Sequence, residues 1–187
     1  MENNKNYTGE ENFIEGVVRY SNVLTNVFAC VNEEIFDNNL VDYSAWTDGA
    51  CDNMNSNSPG GSAYIILKNG IVVEQRSKWF EHTTSNRMEM LAIISAICYF
   101  GDRPDIRLDI YTDSQYSMNV FTGLWAPKTN FDLVKLFYES AKKIRMVVFH
   151  KVKGHVGIEY NEKANDLAYN AYLDVVNLRG YRVGKYV

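Results

Sequence analysis

The sequence predicts an α/β fold: a mixed five-stranded sheet with helices on both faces, preceded by an N-terminal helical extension. Three observations predict it. Strand-like runs come first and are joined by turn-forming residues. Later apolar runs switch between compact strand-like blocks and helical three-and-four spacing. The resulting order, βββαβααβα, contains strands that feed crossover helices, as mixed sheets require.

In the extension, Phe13, Val17, Tyr20, Leu24, Val27, Phe28, Val31 and Ile35 recur at three- and four-residue spacing, which predicts one amphipathic helix. Its apolar stripe would pack on its own domain, serve a dimer contact or bind a partner. Residues 1–38 form this acidic extension, 39–173 the main domain and 174–187 a basic tail containing Arg179, Arg182 and Lys185.

In the main domain, Val41 to Thr47 reads as a strand and residues 52–61 as a loop with a Pro59-Gly60-Gly61 return. Ser62 to Leu67 and Ile71 to Phe80 form a hairpin about Lys68-Asn69-Gly70. Thr84 or Ser85 caps a helix that carries Met88, Leu91, Ala92 and Tyr99 and stops near Gly101. Ile106 to Tyr111 is a buried strand, and a short helix follows Asp113-Ser114. Phe131 to Ala141 is helical, Met146 to His150 is the fifth strand, and Asn161 to Leu173 is the last helix.

Composition bounds the function. The 187 residues are 46% hydrophobic and 22% charged, and no apolar run approaches the ~20 residues that span a bilayer. The polar, acidic start does not read as a secretory signal. Three scattered cysteines give neither a disulfide framework nor a zinc pattern, so an intracellular setting, cytoplasmic or nucleoid-associated, is expected. The net charge of −4 is uneven. Residues 1–46 carry 8 acidic and 2 basic groups, a net of −6, and the remainder carries a net of +2. That balance permits phosphate contacts in the main domain.

Three carboxylates stand where such a sheet places a site. Asp48 closes the first strand, Asp113 follows the fourth, and Glu89 lies about one turn into the first long helix. If the two strands are parallel neighbours, all three point at one place beyond their carboxyl ends. Each also has an ordinary structural role open to it: Asp48 as a turn former, Glu89 as a helix-dipole partner, Asp113 as an N-cap. Together they would repel one another unless a cation intervened. Oxygen ligands favour Mg²⁺ or Mn²⁺, and two ions about 4 Å apart can promote phosphodiester hydrolysis. His155, in the Lys153-Gly154-His155 loop, is a mobile proton carrier or an ordinary surface histidine.

The segments Thr47-Asp48-Gly49-Ala50-Cys51, Thr83 to Glu89, Tyr111 to Tyr116, Val152 to His155 and Asn161 to Ala168 together resemble the type 1 ribonuclease H family over about residues 40–173. The resemblance implies a ribonuclease H-like fold and cleavage of the RNA strand of an RNA–DNA hybrid, leaving 5′-phosphate and 3′-hydroxyl ends. It implies two bound Mg²⁺ or Mn²⁺ ions with substrate. Asp48, Glu89 and Asp113 match three of four acidic ligands, and His155 matches the mobile histidine. Asn86 and Gln115 match groove contacts, and Thr84 matches a residue that holds a DNA-strand phosphate. Ser85, Gly49 and Cys51 complete the candidate substrate contacts. A monomer is expected, with dimerisation through the extension as the alternative.

Three departures stand out. Asn165 occupies the place of the fourth carboxylate, offering an amide oxygen without charge. It reads as a natural variant, an introduced substitution, or a position compensated by Asp166. Neighbouring helical residues point about 100° apart, which opposes the last. Only Gly123 to Lys128 separates the two helices after Asp113, where some members insert a basic handle. The loop after Asp48 is long and holds Asn53, Asn55 and Asn57. Two other functions compete: a different polynucleotidyl transferase of the same broad fold, and a hybrid-binding module with little turnover.

Overall fold

The computed structural model describes residues 12–14, 17–19, 24–30, 40–154 and 157–184. Its centre is a mixed sheet. β4 (Val41–Cys51), β5 (Gly60–Lys68) and β6 (Ile71–Phe80) form an antiparallel meander. β7 (Arg103–Thr112) then pairs in parallel with β4, and β8 (Ile144–Lys151) pairs in parallel with β7. These five strands are the ones expected from the sequence.

The extension corrects the expected helix. Asn12–Ile14 (β1), Val17–Arg19 (β2) and Val27–Cys30 (β3) are strands. They bring the sheet to eight strands in the order β1-β2-β3-β8-β7-β4-β5-β6. The physical reason lies outside the segment. The free edge of β8 offers a backbone ladder, and β3 takes it in parallel, Val27 opposite Val147. Asn26 anchors the turn before β3 by donating to the carbonyls of Ala141 (2.9 Å) and Ile144 (2.6 Å). β-Branched Val27 suits that ladder better than a helix. Tyr20, Val31 and Ile35 of the expected helix lie outside the described residues.

Helices α1 (Ser85–Phe100), α2 (Gln115–Phe121) and α3 (Phe131–Ala141) share one core with one face of the sheet. α4 (Glu159–Arg179) covers the other face and runs beyond the expected Leu173. β5 shows the division. Tyr64 and Ile66 enter the α1 core, whereas Ala63, Ile65 and Leu67 enter the α4 side. Period-two alternation with both faces covered is what made this strand uniformly apolar. In the larger core Phe137 stacks on Phe121 with centroids 3.9 Å apart, and truncating such a buried ring to alanine costs about 3–5 kcal/mol.

Candidate active site

The site forms where β4 and β7, running side by side in parallel, meet the start of α1. Asp48 does not end its strand, as the Asp-Gly signal suggested. β4 continues to Cys51 because β5 pairs with it throughout, Asp48 opposite Ala63 and Cys51 opposite Gly60. Its ladder with β7 stops earlier, at Trp46 opposite Tyr111. Asp48 and Asp113 therefore stand just past the last shared rung.

Two caps release the other carboxylates from structural duty. Thr84 caps α1, its side chain accepting from the Arg87 amide at 3.3 Å, and no acidic residue occupies the first turn. Glu89 therefore stands beyond the helix-dipole position. Ser114 caps α2 by accepting from the Ser117 amide, so Asp113 is not the cap. Gly49 then sets the approach of α1 to β4. A Cβ there would lie 2.4 Å from the Glu89 amide nitrogen, so any side chain would push the helix away. Its amide donates to Asp48 Oδ1 at 2.7 Å.

The result is a cluster in which one carboxylate oxygen each from Asp48, Glu89 and Asp113 lie within 4.8 Å of one another. Asp48 is buried, and Glu89 Oε2 is buried with no hydrogen-bond partner. Burial pushes the Glu89 carboxyl well above the ordinary carboxylate range. The charges of Asp48 and Asp113 add to the rise, and the Lys151 ammonium opposes it. Oxygen-only donors, mutual repulsion and an unpartnered buried oxygen are the conditions that a divalent cation relieves. The three residues thus fit such an ion.

Lys151 was not singled out from the sequence. At the end of β8 its Nζ donates to the carbonyls of Asp113 (2.5 Å) and Val152 (2.9 Å), which sets a cation beside the cluster. Only the register of β8 against β7, Thr112 opposite Lys151, reveals this neighbour. Gly154 also comes close: a Cβ on it would lie 2.4 Å from Asp113 Oδ2. The Gly154 backbone therefore passes directly over that carboxylate. His155 lies outside the described residues.

On α4, Asn165 is half-buried next to buried Ala164, and Asp166 is exposed. Asp166 is not a member of the carboxylate cluster. At the start of α1, Thr84 and Asn86 are exposed and Ser85 is half-buried. Asn53 binds Ser85 twice, donating from Nδ2 to its Oγ (2.8 Å) and accepting from its amide (3.4 Å), so the long loop is fastened to the helix tip. Of the three loop asparagines, Asn53 is thus the one joined to α1. Gln115 is exposed at the start of α2. The Cys51 side chain is buried, and burial together with the charge of Asp52 raises its thiol to about 11. Arg87 makes a paired bond from α1 to Asp132 (3.0 and 2.7 Å), fixing α3 against the same helix tip.

A ribonuclease H family model matches residues 41–172. The chain belongs to the ribonuclease H family. A ribonuclease H of Rhodopseudomonas palustris (strain TIE-1) is 39% identical over 137 residues, covering 65% of this chain and 83% of that protein. A ribonuclease HI of Synechocystis is 33% identical over 155 residues, covering 75% of this chain and 94% of that protein. The fold also matches the N-terminal RNase H domain of a Mycobacterium tuberculosis protein solved as a fusion with maltose-binding protein. That match has a TM-score of 0.65 at 17% identity and covers 74% of this chain and 99% of the other. The family match begins at the first residue of β4, so the three added N-terminal strands lie outside it.

Proposed function

We propose that this ribonuclease H family member is a metal-dependent endonuclease that cuts the RNA strand of RNA–DNA hybrids, leaving 5′-phosphate and 3′-hydroxyl ends. The observation that carries the reading is the meeting of Asp48, Glu89 and Asp113 within 4.8 Å, where the parallel β4–β7 ladder ends beside α1, in a family fold. The relatives named ribonuclease H supply the substrate class.

Asp48, Glu89 and Asp113 would hold two Mg²⁺ or Mn²⁺ ions, and the Asn165 amide oxygen would be a weaker ligand from α4. Ions held there would supply Lewis acidity for water activation and for the charge that develops at the phosphate. The protein's own residues position the duplex. Thr84 and Ser85 hold a DNA-strand phosphate at the exposed tip of α1. Asn86 and Gln115 reach the groove from the first turns of α1 and α2. Gly49 and Cys51 line the strand beside Asp48, Cys51 through its backbone because its side chain is buried. His155 moves a proton or helps product leave. Contacts to 2′-hydroxyls on one strand and deoxyribose on the other select the hybrid. The protein acts as an intracellular monomer. No described helix is long and apolar enough to cross a membrane.

Asn165 favours one second reading, a hybrid-binding module with little turnover, because an amide contributes no charge to the ions. End-labelled RNA–DNA, DNA–DNA and RNA–RNA duplexes separate the possibilities. Metal-dependent cutting confined to the RNA of the hybrid supports the nuclease. Metal-dependent retention of uncut hybrid supports the binding module, and cutting of DNA–DNA supports another transferase of this fold.

A further inference from the structure

Beneath the carboxylates, a row of four rings crosses the molecule. His150 on β8 stacks on Tyr111 of β7, with centroids 4.5 Å apart and planes 13° apart. Tyr111 stacks on Trp46 of β4 at 4.3 Å and 11°. Trp46 then meets Tyr160, in the first turn of α4, at 6.2 Å. Each ring belongs to an element that delivers something to the site. β8 ends in Lys151 and the Gly154 loop, β7 leads to Asp113, β4 carries Asp48, and α4 carries Asn165.

Two features make the row more than core filling. First, Trp46 and Tyr111 form the last rung of the β4–β7 ladder. Beyond it, no further β4–β7 pair holds the strands together, and the next residue on the same side of β4 is Asp48. The rings are thus the final fixed point before two of the three carboxylates. Second, the far end of the row is anchored by charge. His150 Nε2 lies 2.5 Å from Asp109 Oδ1, and that oxygen accepts from the Arg107 guanidinium at 2.7 Å. Arg107 and Asp109 are buried. A half-buried, bonded histidine keeps its ring in one plane, and stacked faces pass that plane to Tyr111 and Trp46.

We propose that the His150–Tyr111–Trp46–Tyr160 row, anchored by Arg107 and Asp109, is a positioning device that sets the spacing of Asp48 and Asp113 and so the affinity of the site for divalent ions. This rests on the metal-binding reading above. Side chains that orient metal ligands commonly govern affinity by about 10–100-fold without touching the ion.

The test is Mn²⁺ binding to the full chain by calorimetry, with thermal melts in chelator alongside. Tyr111→Leu removes the central ring, and His150→Gln keeps a hydrogen-bonding partner for Asp109 but loses the stack. Each is expected to weaken Mn²⁺ binding by about tenfold. Tyr111→Phe, which keeps the stack, should restore the parent affinity. Phe137→Leu, a loss of stability in the distant α3 core, should lower the melting temperature and leave Mn²⁺ affinity unchanged. If the parent binds Mn²⁺ and both ring-deleting variants bind it equally well, the positioning role is overturned and the metal site stands. If the parent binds no Mn²⁺, the metal reading fails and the proposal falls with it.

Discussion

The proposed site has two walls of different chemistry. On one, β4, α1 and β7 bring together three carboxylates, with Glu89 held well above its ordinary pKa by burial and by its neighbours. On the other, α4 offers the half-buried amide of Asn165, and the nearest carboxylate in sequence, Asp166, is turned to solvent. The carboxylate wall concentrates repulsion that a divalent cation would relieve. An amide wall would tolerate the cation but add no charge to its attraction. Lys151 tilts the balance further, since its ammonium already offsets part of the negative charge.

The largest expected effect comes from breaking the charged wall. Asp113→Asn removes a charge while keeping size, and hybrid cleavage at fixed Mg²⁺ should fall by at least about 100-fold, the upper range for outer-shell changes. Adding charge to the other wall should act in the opposite direction. Asn165→Asp places a carboxylate near the ions, where even screened attraction is on the order of 1 kcal/mol or more. The Mg²⁺ needed for half-maximal cleavage should then fall roughly tenfold. Unchanged half-saturation in both Mg²⁺ and Mn²⁺ would show that the walls do not share the ions.

A third prediction concerns pH. Because the folded-state pKa of Glu89 is raised, its contribution to stability without metal is fully present below the ordinary carboxylate pKa and is lost as pH rises through the raised value. Divalent ions need the ionised form, so their affinity should climb over the same window. Glu89→Gln should raise the melting temperature in chelator at neutral pH, flatten its pH dependence, and abolish stabilisation by Mn²⁺. The smallest effect is expected from Asp166→Asn, which should change the cleavage rate by less than about twofold because exposed charges are heavily screened. A large loss there would mean that α4 turns Asp166 into the site.

Much of this was legible before any coordinates. The five core strands and the helices between them follow from alternation and three-and-four spacing, and the three carboxylates stand out because Asp48 closes one predicted strand, Asp113 follows another and Glu89 lies one turn into the helix beside them. The extension was not legible. Its apolar residues fit a helical wheel, but the edge of β8 decided the outcome, and nothing local to residues 12–30 encodes that edge. The extent of β4 was misjudged for the same reason, since pairing with β5 overrides the Asp48-Gly49 turn signal. Lys151 and the ring row needed the register of three strands, which no single segment carries.

The most direct test of the central claim is the rate of RNA-strand cutting in a labelled RNA–DNA hybrid as Mg²⁺ or Mn²⁺ is titrated from chelator upward. A nuclease built on Asp48, Glu89 and Asp113 gives no cutting in chelator and a saturable rise with either ion, leaving 3′-hydroxyl and 5′-phosphate ends. Cutting that persists in chelator, or none at any concentration of either ion, would contradict it.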